Sequence, residues 1–163
     1  MFNNVVWATD GSAHADRALE YAEQLVPRDG GTLHVVHIVE KLVGGRVAGL
    51  DANLKEGETE AKIRDQARAA EHDGFHVELH VAAGRSGEIF RGIAEEAAAA
   101  GGDVIVVGTR GRSPVVGAVI GSVTQRLLHV AGCPVLAVPP TRDADPAEGE
   151  SSEPAGDTIA SPS

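Results

Sequence analysis

Short apolar runs alternate with helix-like segments along most of the chain. The apolar runs predict five strands, at residues 4–9, 32–39, 75–81, 104–107 and 134–138. Between them, apolar residues recur at helical spacing and predict four helices, at residues 12–26, 58–72, 87–100 and 122–131. Residues 40–57 contain several glycines and are interpreted as a long mobile loop. This alternation predicts an α/β fold, a doubly wound five-stranded parallel sheet with helices on both faces.

Two strands indicate the order of that sheet. Residues 75–81 alternate between apolar and polar side chains, which is typical of a strand at an edge, whereas residues 104–107 are apolar throughout, which is typical of a central strand. These features favour the order 3-2-1-4-5 over 2-1-3-4-5. In the favoured order the chain reverses direction between strands 1 and 4, and a ligand is expected beyond the carboxyl ends of those strands.

Composition separates residues 139–163 from the rest of the chain. This segment has no aromatic residue and carries −5 of the total net charge of −10. It cannot bury enough apolar surface to offset the entropy of ordering. We therefore expect one domain, residues 1–138, followed by a disordered acidic tail, residues 139–163.

Charge and cysteine content exclude several classes of protein. The domain is mildly acidic, which argues against nucleic-acid binding through a basic face. Cys133 is the only cysteine, so no intramolecular disulfide forms, and we expect it to be a small buried residue. The first residues lack a basic region before Asp10, and no apolar run approaches the ~20 residues of a membrane helix. We expect no signal peptide, no membrane contact and a cytoplasmic location.

A glycine-rich loop between the fourth strand and the fourth helix carries the candidate chemistry. It reads GTRGRSPVVGAVIGSVT and combines glycines that permit φ > 0 and close approach, arginines, and hydroxyls at the start of a helix. The residues concerned are Gly108, Gly111 and Gly121, then Arg110 and Arg112, and then Ser122 and Thr124. A connection whose glycines only make turns is the alternative. The position after a central strand and beside Asp10 favours phosphate binding.

Asp10 has two interpretations from the residues alone. It can contact a ligand in the crevice, or it can form a turn or cap the next helix. Ser12 is the predicted N-cap of the first helix.

The spacing Gly108-x-x-Gly111, nine residues, then Gly121-Ser122 resembles the ATP-binding signature of universal stress proteins. The segments WATDGS, VVHIVE and GCPVLAVP also look like that family, and the resemblance covers residues 3–138. It implies the same strand order, ATP as ligand with Mg²⁺ or Mn²⁺, a homodimer, and a role as a nucleotide-dependent regulator or sensor in the stress response.

The resemblance also implies a set of nucleotide-binding residues. Asp10 and Ile38 should lie against adenine and ribose. Gly108 and Gly111 should line the path to the phosphates. The phosphates should be held by Gly121, Ser122 and Thr124, with Val123 contributing backbone, and Ala8, Thr9 and Arg110 complete the set. Ala8 stands where some ATP-binding members have Pro, and Ile38 where Val is frequent.

Other functions compete with a binding module. The chain lacks G-x-x-x-x-G-K-[ST] and the S-G-G-x-D-S loop, so a dedicated ATPase or nucleotidyl transferase is disfavoured, although slow hydrolysis stays open. A dinucleotide binder would need G-x-G-x-x-G after the first strand, where D-G-S stands. AMP or cyclic AMP in the same loop also stays open, because the loop can hold one phosphate.

The histidines and the last strand give two further expectations. His76 and His80 share a strand face but lie ~13 Å apart, so with Glu78 between them they are interpreted as a solvated face and not a metal site. His34 and His37 point to opposite faces. The last strand, Pro134 to Val138, is an apolar edge that predicts a homodimer by pairing with its twofold mate.

Overall fold

A computed structural model describes residues 2–41, 50–85, 87–111 and 120–140. Within those ranges the chain alternates strictly between strands and helices. The strands are β1 (Asn4–Ala8), β2 (Thr32–Lys41), β3 (His76–Arg85), β4 (Val104–Gly108) and β5 (Val135–Val138). The helices are α1 (Ala13–Leu25), α2 (Leu50–His72), α3 (Ile89–Ala99) and α4 (Ser122–Val130).

The strands form one parallel sheet in the order β3-β2-β1-β4-β5, which confirms the predicted order. β4 is buried along its whole length, and β3 lies at one edge. The ladder continues past the strand ends, since the Thr9 N–H donates to Val36 O at 2.9 Å and the Thr109 N–H donates to Val138 O at 2.8 Å. β1 and β4 are paired as far as Ala8 and Val107, so their carboxyl ends lie side by side at the predicted reversal of chain direction.

The core lies on both faces of the sheet. On one face, α1 and α2 cover a cluster that includes Trp7 and Ile63, each with 0% exposure. The Trp7 indole N–H donates to Ala15 O at 2.9 Å, so the ring is buried without leaving its polar atom unsatisfied. On the other face, α3 and α4 cover a second cluster that includes Ile105 and Leu127. The small side chains of α1, such as Ala18 and Ala22, allow that helix to lie close to the strands.

Several predicted boundaries were wrong. The predicted loop over residues 40–57 is incorrect at residues 40–41, which belong to β2, and from residue 50 onward, where α2 begins, while residues 42–49 lie outside the described ranges. Gly57 misled the interpretation: it lies inside α2 with nothing within 4 Å of the place a Cβ would take, and a helix tolerates an exposed glycine at a cost of about 1 kcal/mol. β2 and β3 run to Lys41 and Arg85 because each continues the other's ladder.

The apolar residues of α4 do not all face the core. Leu127 is fully buried, but the next residue, Leu128, is 48% exposed, whereas the polar Thr124 is buried at 3%. Cys133 is half-buried against the α3–α4 cluster, and burial raises the pKa of its thiol. In the described ranges no helix is both long and apolar enough to cross a membrane. Residues 141–163, nearly all of the predicted tail, lie outside those ranges, and its disorder stays a prediction.

Candidate functional site

The turn after β1 is built by its own side chains. The Thr9 hydroxyl accepts from the Gly11 N–H at 3.1 Å, and Asp10 Oδ1 accepts from the Ser12 N–H at 3.0 Å. Gly11 has φ +77°, a conformation that favours glycine. Ser12 caps α1 as predicted, with its Oγ accepting from the Ala15 N–H at 3.3 Å. One oxygen of Asp10 thus has the turn-forming role that was the alternative interpretation.

The other carboxylate oxygen of Asp10 faces the loop that follows β4. A Cβ placed on Gly111 would lie 2.7 Å from Asp10 Oδ2, closer than side chains normally approach. The absence of a side chain at Gly111 is what allows the two loops to meet. Asp10 and Gly111, which the sequence assigned to one site, are brought together.

Glycine is also required at positions 108 and 121, because backbone atoms of other residues lie close to where a Cβ would be. A Cβ on Gly108 would lie 2.9 Å from His14 O, and a Cβ on Gly121 would lie 3.1 Å from Thr109 O. Gly121 has φ −67° and ψ 153°, which any residue adopts. In the described part of the chain, positive φ occurs at other glycines, and not at Gly108, Gly111 or Gly121. Of the two properties that the sequence attributed to these glycines, the structure uses close approach and not positive φ, because neighbouring backbone and side-chain atoms leave little room for a Cβ.

The N-terminus of α4 lies at the carboxyl end of β4. Gly121 is its N-cap and supplies no side-chain cap, and the first helical hydrogen bond runs from the Gln125 N–H to Gly121 O at 2.9 Å. The N–H groups of Ser122, Val123 and Thr124 have no acceptor inside the helix, because the first turn of any helix leaves its donors free of intrahelical partners. Such an end favours an anion through its N–H groups and its dipole.

The hydroxyls of α4 have different surroundings. Ser122 is exposed at the helix start. Thr124 is buried, and its Oγ1 donates to Gly108 O at 2.8 Å, so its proton is used to hold α4 against the end of β4. Its predicted contact with phosphate stays a prediction.

Two residues near α4 escaped the sequence interpretation. Thr109 is 7% exposed, and within the described part of the chain its buried hydroxyl has no hydrogen-bond partner. Arg126 lies one helical turn after Ser122, and its guanidinium donates to Gly87 O at 3.1 Å. Helical spacing from Ser122 would have found Arg126, whereas the burial of Thr109 has no signal in the sequence.

A cleft of about 220 Å³ opens beside the α4 N-terminus. Its walls come from the end of β2 and from the first turns of α3 and α4. They are lined by Glu40, Gly87, Ile89, Phe90, Ser122, Val123 and Arg126. The cleft therefore carries one arginine and one glutamate next to the uncapped helix end.

The predicted adenine contacts lie deeper than expected from a surface crevice. Ile38 is 7% exposed, and a Cβ on Gly92 would lie 3.2 Å from its Cδ1. Ala8 is 3% exposed and belongs to the same core cluster, which Val123 also contacts. These side chains form the buried layer beneath the carboxyl ends of the strands. Arg112 lies outside the described residues.

His37 links the site to α2 and was missed. It is 3% exposed, its Nδ1–H donates to Thr9 O at 2.9 Å, and its Nε2 lies 2.6 Å from Glu56 Oε1. The contact positions the backbone of Thr9 at the end of β1. A lone histidine in an apolar strand gives no sign of that role.

The strand face with His76, Glu78 and His80 is exposed or partly exposed, as interpreted from the sequence, but the structure adds His34 to it. His34 Nδ1 lies 3.2 Å from His80 Nε2 and 3.4 Å from Glu78 Oε2, and the three side chains form one group able to hold a metal ion. Along one strand, His76 and His80 lie too far apart to bind one ion. The neighbouring strand, however, places His34 beside Glu78 in register.

Comparison with known proteins agrees with this architecture. The sequence model of the universal stress protein family matches residues 1–139. A universal stress protein of Thermus aquaticus is 33% identical over 140 residues, which cover 85% of this chain and 99% of that protein. The solved UspA of Lactobacillus plantarum shares the fold, with a TM-score of 0.67 at 19% identity over 83% of this chain and 97% of that one. A universal stress protein crystallised with cAMP has a TM-score of 0.62 at 25% identity over 84% and 97%.

Proposed function

The chain belongs to the universal stress protein family, and from that premise we propose that it is an ATP-binding regulator of the stress response. The observation that carries the proposal is the N-terminus of α4, which has no side-chain cap from Gly121 and is hydrogen-bonded to the carboxyl end of β4, the strand paired with β1 where the chain reverses direction. Ligands of doubly wound sheets bind at that place, and a helix N-terminus favours phosphate.

The phosphates are proposed to bind the N–H groups at the start of α4 and the hydroxyl of Ser122. Thr124 then acts as a positioning residue through its bond to Gly108 O at 2.8 Å. Arg126 supplies positive charge at the cleft beside Ser122. The buried Thr109 hydroxyl, which has no partner in the described ranges, supports a ligand that would satisfy it.

Adenine and ribose are proposed to lie toward the end of β1. Asp10 would contact the ribose hydroxyls, because its carboxylate lies at the junction of the two loops, beside Gly111. Ala8, Thr9 and Ile38 would form the floor under the base, with Gly108 and Arg110 along the path to the phosphates. The close packing of these positions supports a site of defined shape.

A Mg²⁺ or Mn²⁺ ion is proposed to accompany the triphosphate. Such hard cations prefer oxygen ligands and usually take them partly from substrate phosphates. The donor chemistry at the start of α4 fits, since the exposed Ser122 supplies a hydroxyl oxygen there.

A homodimer through β5 is also proposed. β5 is an edge strand of the sheet, and Leu136 on it is 36% exposed. An exposed edge strand has unpaired backbone N–H and C=O groups that can pair with another strand. Pairing with the same strand of a second copy, related by a twofold axis, would satisfy them.

A second candidate keeps the site and changes the ligand to AMP or cyclic AMP. It is favoured by the relative crystallised with cAMP, which is 25% identical to this chain. One phosphate is enough to occupy the N-terminus of α4. Slow ATP hydrolysis is a further candidate if ATP is the ligand.

Two measurements test which nucleotide binds. Mass spectrometry of small molecules released from the denatured purified protein identifies the nucleotide and its number of phosphates. Calorimetric titration then compares Mg-ATP with Mg-GTP, AMP and cyclic AMP. ATP binding with little heat from GTP supports the proposal. Equal affinity for GTP, or binding of cyclic AMP alone, would overturn the assignment of ATP.

A further inference from the structure

A group of three potential metal ligands lies on the α3 side of the sheet, at its β3 edge. His34 in β2 and Glu78 in β3 are register partners, and His80 is two residues further along β3. All three side chains therefore project from the same face. Their facing atoms form a compact triangle, with 3.2 Å from His34 Nδ1 to His80 Nε2, 3.4 Å from His34 Nδ1 to Glu78 Oε2 and 3.7 Å from His80 Nε2 to Glu78 Oε2.

The outer nitrogens of both rings face oxygen acceptors. His34 Nε2 lies 3.3 Å from Asn4 Oδ1, and His80 Nδ1 lies 3.7 Å from Glu96 Oε2. The Asn4 amide nitrogen donates to Gly101 O at 3.3 Å, which fixes its oxygen toward His34. The hydrogen bond to Asn4 therefore places the proton of neutral His34 on Nε2, and in the proposed site His80 carries its proton on Nδ1, which faces the Glu96 carboxylate beyond hydrogen-bond distance. The two inner nitrogens then turn their lone pairs toward each other and toward a carboxylate.

Three lone pairs that face one another need a cation between them. A proton satisfies only one pair of the three atoms, whereas a metal ion satisfies all of them. Metal-ligating histidines usually donate their other N–H to a carboxylate or carbonyl oxygen, as the contacts to Glu96 and Asn4 would allow.

The triangle also has the right size. With metal–ligand bonds of about 2.0–2.2 Å and tetrahedral angles, neighbouring ligand atoms are separated by about 3.3–3.6 Å. Two imidazoles and one carboxylate suit a divalent transition metal, with zinc the best match for tetrahedral geometry. The Glu78 side chain is 51% exposed, so the ion can reach the group from solvent.

We propose that His34, Glu78 and His80 bind one divalent transition-metal ion, for which Zn²⁺ is the expected occupant, and that this ion joins β2 to the edge strand β3. The site is separate from the nucleotide edge, since His34 lies four residues before Ile38, a distance of ~13 Å along the strand. Its test is therefore independent of the proposed function.

The experiment uses the full chain without a histidine tag, stripped with a chelator and dialysed. Zn²⁺ is titrated in a calorimeter, and thermal unfolding is followed by the fluorescence of Trp7. We expect one ion per chain with micromolar or tighter affinity and a melting temperature that rises with Zn²⁺ concentration, because the ion binds only the folded state. Mg²⁺ should produce neither effect, because it prefers an all-oxygen site.

Three variants separate this site from adventitious binding. His80→Gln should remove the stoichiometric heat and the thermal shift, whereas His76→Gln, on the same strand but outside the ligand group, should keep both. Glu96→Gln should weaken Zn²⁺ binding by about 10–100-fold while the ion still binds, as expected for a residue that only orients a ligand. The proposal is overturned if the wild-type protein gives no stoichiometric heat, or if His80→Gln binds Zn²⁺ as tightly as His76→Gln. In that event the three side chains share a proton only.

Discussion

Replacing Gly121 with Val should separate nucleotide binding from folding. The backbone at Gly121, φ −67° and ψ 153°, lies in the β region that Val prefers, so no left-handed strain arises. The added Cβ would lie 3.1 Å from Thr109 O, which requires a shift of a few tenths of an ångström. With the loss of a favourable N-cap residue, we expect a cost of about 1–2 kcal/mol. That corresponds to a melting temperature lower by about 2–8 °C.

The effect on nucleotide binding should be much larger. The branched side chain would cover the N–H groups at the start of α4, where the phosphates are proposed to bind. Each hydrogen bond to a charged group contributes about 1.5–3 kcal/mol. The loss of two such bonds weakens binding at least about 100-fold.

The matched control is Gly132→Val, at the opposite end of α4. Nothing lies within 4 Å of the position of its Cβ, so this change should leave both stability and binding near the parent values. Circular dichroism and Mg-ATP calorimetry are carried out on the same samples. A folded Gly121→Val that binds ATP as tightly as Gly132→Val would refute the placement of the phosphates. If Gly121→Val does not fold, Ser122→Ala provides the same comparison, with a weaker expected loss of about 10-fold for one hydrogen bond.

Four further predictions address other parts of the chain. Thr124→Val should lower the free energy of unfolding by about 1–3 kcal/mol in a denaturant titration, because it removes the donor to Gly108 O in a buried place. Asp103→Asn should lower the melting temperature at neutral pH, because the backbone N–H groups of Asn4 and Asn3 hold the pKa of Asp103 below its ordinary 3.8. The ionised carboxylate therefore stabilises the fold above pH 3.8, and this stabilisation is lost as the pH falls through the lower, folded-state pKa. Equal shifts in melting temperature at pH 7 and pH 2 would contradict this. Leu136→Lys should convert a dimer into a monomer in sedimentation, and a parent protein that is monomeric at micromolar concentration would exclude the β5 dimer. Truncation after Pro140 should leave the melting temperature and ATP affinity nearly unchanged, and a large loss of either would mean that the tail binds the domain.

Much of the fold could be predicted from local pattern. Continuous apolar character placed β4 in the interior of the sheet, and alternation placed β3 at an edge, because the number of buried faces limits which side chains a strand can carry. Ser12 was identified as a cap because its role depends on residues only three positions away. The start of α2 was not found, because helix propensity predicts a helix that begins only after Gly57. The packing of α2 on the sheet stabilises the helix enough to include that glycine.

The candidate site could be assigned to the correct loops but not to its contacts. The glycine spacing indicated which residues belong together, and Asp10 and Gly111 do meet. The sequence could not indicate that Gly108 is required by His14 O rather than by backbone conformation, or that the Thr124 hydroxyl donates to Gly108 O. Those facts depend on how α1, β4 and α4 pack, which involves residues far apart in the chain.

The histidines illustrate the same limit. The sequence by itself determined that His76 and His80 share a face of one strand and stand too far apart to bind one ion. Only the tertiary structure decided that His34 stands between Glu78 and His80, because strand register is set by the packing of the whole sheet. The alternation of side chains along a strand fixes which face of the sheet each residue lies on. Which residue lies beside it on that face depends on the register of the neighbouring strand.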